Sequence, residues 1–277
     1  MSEGVRTLVI SPHSDDAAYS VGGAILTGFF PRPLLIFTPF TFSISGGYIQ
    51  GAHDMRKVTA LRAAEDEAFA KEVGARLLRS GLPEAGLSSK TGEYFFPLLM
   101  SASLLCGWPL PRNRVERGAR KVASRTPMAV RSEFLDRIAR FDRLRTILRE
   151  QIASLLGRSP HAVLVSPLGL GNHPNHIAVA SACRSLRKEA SRLYFYEDLP
   201  YAIRYSLRGI ERHVAFFDSD LRPMTIDVSD VIDDKIRNLS GYATQVGQRE
   251  TEIVRRHAER LARGGAAQER IWTYPVE

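Results

Sequence analysis

Leu8-Val9-Ile10-Ser11-Pro12-His13-Ser14-Asp15-Asp16 decides the fold, because a short apolar strand ends in one imidazole and two adjacent carboxylates. A strand rising to its C-terminal end delivers such side chains into the crevice where open α/β sheets keep their chemistry. By itself this is half of a metal site. The other half lies some 160 residues further on, where the apolar run Ala162-Val163-Leu164-Val165 precedes Gly169-Leu170-Gly171-Asn172-His173-Pro174-Asn175-His176. A helix reads from Asn175 to about Glu189. If the two strand ends are neighbours, His13, Asp16 and His176 converge on one cation.

Two histidines and one carboxylate are a common three-ligand set for catalytic zinc, which keeps its fourth position for water. Asp15 is then left free to act as a base beside that water, whose pKa zinc brings down to about 7. Each motif also has an ordinary explanation. An aspartate after a strand is often only a helix N-cap, and His-x-x-His at a helix start is often surface or capping. The argument rests on the pair, since each follows a strand and each supplies ligand types that complete the other.

Taken together, Pro12-His13-Ser14-Asp15-Asp16 and His173-Pro174-Asn175-His176 resemble the signature of the PIG-L/LmbE family of zinc-dependent N-deacetylases. Arg62-Ala63-Ala64-Glu65 is similar to the family's Arg-x-x-Glu helix, and Gly81-Leu82-Pro83-Glu84-Ala85 resembles the segment after its next strand. Tyr196-Glu197-Asp198-Leu199-Pro200-Tyr201-Ala202 is similar to a stretch in bacterial members. The resemblance implies Zn2+ on His13, Asp16 and His176, Asp15 as general base, and His173 as partner acid that stabilises the oxyanion and protonates the departing amine. Arg62 falls where the family has a substrate-contacting arginine, and Asn175 is grouped with it on the substrate side. Three positions depart from the pattern. Ser14 and Ala17 stand where proline and glutamate are common, and Asn175 replaces an aspartate expected to raise the pKa of His173.

The implied reaction is hydrolysis of an N-acetyl or other N-acyl group on an amino-sugar-containing substrate, a small N-acetylated glycan or glycosylated natural product. Two alternatives stand beside it: a zinc amidase acting on another N-acyl bond, and a catalytically silent sugar-binding member. Selectivity is expected from Glu197, Asp198, Tyr201 and a segment at about 94–130. That segment starts apolar, turns basic, and reads as an insertion or lid within a single 1–277 domain.

A formal charge of +8 with a pI near 9.7 raises the question of nucleic acid, yet the basic residues are spread along the chain and no recognition motif accompanies them. Attraction of anionic substrates is the more economical use of the charge. No signal peptide and no apolar run of membrane-spanning length is evident, so a cytoplasmic protein without stable membrane insertion is expected. Cys106 and Cys183 read as reduced core residues. Strands are expected near 7–12, 33–40, 161–167, 192–198, 212–217 and 224–229, with helices over 17–27, 54–73, 131–156 and 175–189 and a broken helical region over 231–263. Alternating strands and helices predict a Rossmann-like three-layer α/β sandwich with a largely parallel central sheet. Gly22-Gly23 lacks dinucleotide-fingerprint spacing, which argues against a nicotinamide cofactor. The pattern leaves a homo-oligomer open.

Overall fold

The computed structural model describes residues 4–43, 55–84, 128–159, 161–262 and 266–275, with only the backbone of residues 55 and 128–140. The 94–127 stretch of the expected insertion lies outside the described residues, as does Cys106. From Met128 the chain is helical.

Among the described residues seven strands form one sheet in the order β3-β2-β1-β4-β5-β7-β6. They are β1 (Thr7–Ile10), β2 (Leu34–Phe42), β3 (Arg76–Pro83), β4 (Val163–Pro167), β5 (Arg192–Tyr196), β6 (Arg222–Asp227) and β7 (Gln268–Thr273). Every residue of β1 is buried, as expected of a strand covered on both faces. β3, β2, β1, β4 and β5 pair in parallel, and β7 runs antiparallel to both β5 and β6. The sheet is thus largely parallel, as its alternating pattern predicts.

Among the described residues the α-helices are α1 (Asp16–Leu26), α2 (Met55–Glu72), α3 (Met128–Gly157), α4 (Pro174–Ser185), α5 (Leu207–Phe217), α6 (Ile232–Ser240) and α7 (Gln248–Leu261). α1 and α2 pack with α6, while α3 packs with α4. Because strand order reverses about β1, right-handed crossovers put these two groups on opposite faces of the sheet. None of the described helices is long and apolar enough to cross a membrane.

The critical relation is the pairing of β1 with β4, in register Thr7 to Val163, Leu8 to Leu164 and Val9 to Val165. The two motif-bearing strands are therefore neighbours, and their C-terminal ends share the crevice where the chain switches sides.

Three expectations about elements need correction. The run at 212–217 is the end of helix α5, not a strand. Its apolar positions Leu207, Ile210, Val214 and Phe217 recur at helical spacing, and the Ser206 hydroxyl accepts from Gly209 N–H at 3.0 Å as an N-cap. β7 is absent from the expected strands because Gln268-Glu269-Arg270 masks its start with polar side chains, and β3 because it is a largely exposed sheet edge. Gly23 has a packing role. A Cβ there would lie 2.7 Å from Glu269 Oε1 and 2.8 Å from Val228 Cγ1, so only glycine lets β7 and the segment after β6 approach α1 this closely.

Candidate metal centre and active site

Asp15 occupies the N-cap position of α1, yet its side chain makes no capping hydrogen bond. The Ser11 hydroxyl does that work, accepting from Ala17 N–H at 3.0 Å. The ordinary reading of Asp15 as a cap therefore fails, and its carboxylate is available to the crevice. Asp16, one residue on, points back: its Oδ2 accepts from the His13 backbone N–H at 2.8 Å.

From the second motif, β4 ends at Pro167 and a tight turn leads into α4. Gly169 and Gly171 adopt φ of 84° and 83°, a left-handed conformation that other residues take only with strain. Pro174 is the first residue of α4 and His173 its N-cap, so His173 and His176 project from the first turn toward β1.

Three ligand atoms close into a nearly equilateral triangle. His13 Nδ1 lies 3.2 Å from Asp16 Oδ2 and 3.2 Å from His176 Nε2, and His176 Nε2 lies 3.3 Å from Asp16 Oδ2. A tetrahedral ion with ligands at about 2.0 to 2.1 Å has ligand-to-ligand edges of roughly 3.3 Å, so these residues fit one. His13, His173 and His176 also offer nitrogens within 4.8 Å of one another. The wider spacing and the lack of a neutralising charge make that second set the poorer one. His173, its ring edge-on to His13 at 4.9 Å between centroids, faces the centre from outside the triangle.

Charge follows this geometry. Burial opposes ionisation of Asp16, but His176 and hydrogen bonds from both histidines hold its carboxyl well below the usual range. Burial likewise opposes a charged His176, and the carboxylates of Asp16 and Asp198 override it, raising the imidazole to about 10. A divalent cation would take the place of that proton between the same carboxylates. His173 goes the other way: burial, then the neighbouring His13 and His176, push it down to about 2. Asp15 is raised, chiefly by burial, against the pull of Arg62.

Known proteins share this arrangement of elements. A 2'-N-acetylparomamine deacetylase of Streptomyces fradiae is 26% identical, the alignment covering 97% of this chain and 89% of that protein. The solved structure of the A40926 pseudoaglycone deacetylase superposes with a TM-score of 0.63 at 20% identity, covering 99% of this chain and 100% of the other. A zinc-inhibited form of teicoplanin deacetylase gives a TM-score of 0.63 at 17% identity and 97% coverage of each chain. The chain has the fold of these deacetylases. No family model matches it.

Within that fold, the two residues expected on the substrate side contact residues of the candidate centre. Arg62 is 4% exposed, and its Nη1 donates to Glu84 Oε1 at 2.6 Å and Ser43 Oγ at 2.9 Å. Its Nη2 lies 3.7 Å from Asp15 Oδ1. The guanidinium thus forms an ion pair with the carboxylate of Asp15. Asn175 is 1% exposed, and its amide lies 3.0 Å from His13 Nε2, so it touches a residue of the triangle and makes no hydrogen bond to His173.

Asp198 is the residue whose part sequence reasoning missed, having been grouped with selectivity. Its Oδ1 accepts from His176 Nδ1 at 2.6 Å, and Oδ2 accepts from Leu168 and Leu170 N–H at 3.1 and 2.9 Å. One side chain thus aims His176 and pins the turn that carries it. The available signal was an aspartate just beyond the strand beside β4. Tyr201 closes the crevice, its ring 5.6 Å from that of His176 and packed so tightly on Gly171 that a Cβ there would meet it at 2.4 Å.

Proposed function

We propose that this protein is a zinc-dependent N-deacetylase that hydrolyses the acetamide of an amino sugar on a small glycosylated molecule. The observation that carries the reading is the His13, Asp16 and His176 triangle with the uncapped carboxylate of Asp15 beside it. The relative from Streptomyces fradiae and the two deacetylases of similar fold support the bond and the substrate class. Nitrogen-rich, closely spaced donors suit zinc better than an oxygen-seeking cation.

When bound, the ion supplies Lewis-acid polarisation and a more acidic water. The rest falls to the chain's own residues. Asp15, steered by Arg62, takes the proton of the attacking water as oxygen adds to the acetamide carbonyl carbon. Among the described residues His173 has no carboxylate partner and no hydrogen bond at Nδ1, and it serves as a neutral N–H donor toward the developing oxyanion. The C–N bond then breaks, the proton held by Asp15 passes to the departing nitrogen, and acetate and a free amine result. This reassigns the protonation step that the family resemblance gave to His173. The silent-member alternative rested on Asn175 weakening His173, and the contact of Asn175 with His13 removes its motive.

The test is acetate release from N-acetylated aminoglycosides, glycopeptide pseudoaglycones and simple N-acetyl sugars, using zinc-loaded protein with and without chelator. Release that chelator abolishes and zinc restores is the expected result. A zinc-loaded protein that frees no acetate from any of them would overturn the reading.

A further inference from the structure

The short 3-10 turn Tyr201–Arg204 walls the crevice, and its last residue has no part in the chemistry above. Three residues complete one turn of such a helix, so side chains at i and i+3 eclipse, and Tyr201 and Arg204 share a face. That face meets the centre. The Tyr201 ring stands edge-on to His176 at 5.6 Å between centroids, and lies 26° from parallel to His173 at 6.5 Å. The Arg204 guanidinium carbon sits 5.6 Å from the centroid of the Tyr201 ring, within cation–π range. From the centre outward the order is imidazole, phenol, guanidinium. Hydrogen bonds hold the turn in place: the Ala202 N–H donates to Asp198 O at 2.8 Å, Arg260 Nη1 donates to Tyr205 O at 2.9 Å, and the Gly171 N–H donates to Tyr205 Oη at 3.3 Å. Arg204 itself is exposed, and among the described residues it has no hydrogen bond and no ion pair. The other guanidinium at the centre, that of Arg62, is 4% exposed and paired with Asp15 and Glu84, so it is closed to an anion arriving from solvent.

We propose that Arg204 makes this centre select amino-sugar substrates that carry an oxyanion, a carboxylate or a phosphate, beside the N-acetylated ring. The guanidinium grips the anion at the rim while the acetamide reaches inward past Tyr201. Its planar fork of N–H donors matches two oxygens of either group at once, which a lone ammonium does not. A cation at the mouth of a crevice also draws anionic substrates toward it, an attraction that salt weakens. An aminoglycoside, rich in ammonium groups, meets a like charge at the same place. The inference rests on the deacetylase reading above and narrows its substrate class.

The experiment uses the full-length zinc-loaded protein with N-acetylglucosamine, its 1-phosphate, its 6-phosphate, and N-acetylmuramic acid, which bears a carboxylate. Initial rates of acetate release give kcat and KM for each at low and high salt. At least one anionic probe is expected to exceed the neutral sugar in kcat/KM by about tenfold, through KM, with the advantage shrinking as salt rises. Whichever probe gains tells phosphate from carboxylate. Arg204→Gln is expected to bring the ratio of anionic to neutral kcat/KM close to one, and Arg204→Lys, which keeps the charge without the fork, to fall between. Lys188 is exposed just past the C-terminal end of α4, the end away from His176, and Lys188→Gln is expected to keep the ratio. A ratio that Arg204→Gln leaves unchanged overturns the proposal. So does an equal fall in Lys188→Gln, which would assign the preference to net charge, and so does the lack of any advantage for the anionic probes. If no probe releases acetate, the deacetylase reading fails on these sugars, and dissociation constants from calorimetry still decide Arg204: weaker binding of the anionic probes relative to the neutral one in Arg204→Gln supports it, and an unchanged ratio overturns it.

Discussion

Glu197 and Asp198 are consecutive residues just past the end of β5, and they serve two buried clusters of opposite design. Asp198 turns to the metal centre, and Glu197 turns to a network on α7 and β7. In that second cluster every carboxylate oxygen is matched. Glu197 Oε1 accepts from Arg270 Nε and, at 3.0 Å, from Trp272 Nε1, while Oε2 faces His257 Nε2 at 3.0 Å. Glu269 takes Lys235 Nζ at 2.7 Å and the Gly23 N–H at 2.8 Å on Oε1, and the Ala24 N–H at 2.8 Å on Oε2. Around the candidate metal centre, by contrast, Arg62 pairs with Asp15 and Glu84, while the ion-pair partners of Asp16 and Asp198 among the described residues are the imidazoles of His13 and His176. A buried cluster with compensated charge is finished and structural. One whose carboxylates meet imidazoles can exchange the proton of such a partner for a cation.

The contrast is broken or sharpened most sharply by cutting a ligand. Asp16→Ala or His176→Ala is expected to lose the metal and to lower turnover by about a thousandfold or more, read as metal content and acetate release of the folded variant. A variant that keeps both would place the cation elsewhere. Next comes Asp15→Asn, which should retain metal and lose about 10²- to 10⁴-fold in turnover. Undiminished acetate release would remove Asp15 as the base.

The finished cluster should answer through stability. Lys235→Met strands Glu269 without its cation and is expected to cost roughly 3 to 5 kcal/mol in denaturant unfolding, with metal content per folded molecule unchanged. Equal stability would show that the pair is not holding α6 to β7.

Asp66 gives the smallest effect over any single pH unit. It is 3% exposed, and it accepts from Tyr242 Oη at 3.0 Å. Burial raises its carboxyl to about 8 from 3.8. Between those values the folded state binds more protons than the unfolded, so the contribution of Asp66 to stability is full below the lower pH and is lost as pH rises through the upper one. Asp66→Asn should therefore gain on the unaltered protein by at most about 1.4 kcal/mol per pH unit across that window, seen in paired unfolding curves at its two ends. A pH-independent difference would show Asp66 ionised in the fold.

Legibility tracked burial pattern and chemistry. β1 and β4 were readable because strands covered on both faces are continuous apolar runs, and α4 because Pro174 starts it. β7 was not, since Glu269 and Arg270 find their partners on α1, α6 and Glu197, far away in sequence, and look like surface charge without them. Helix α5 was mistaken for a strand because Val214 to Phe217 is a short apolar run whose helical stripe shows only when Leu207 and Ile210 are included. In the site, the ligand types of His13, Asp16 and His176 were legible, but the partner of each was not. Sequence places Arg62 and Asn175 on the substrate side and carries no sign of their contacts with Asp15 and His13.

The sequence by itself determined which residue types stand at the ends of two strands, because strand periodicity and the turn chemistry of Gly169, Gly171 and Pro174 are local properties. Only the tertiary structure decided that β1 and β4 adjoin, that Ser11 frees Asp15 from capping, and that Asp198 backs one histidine and Asn175 the other. Those relations join residues far apart in the chain, and hydrogen bonds of about 3 Å between buried groups follow from packing, which no local pattern encodes.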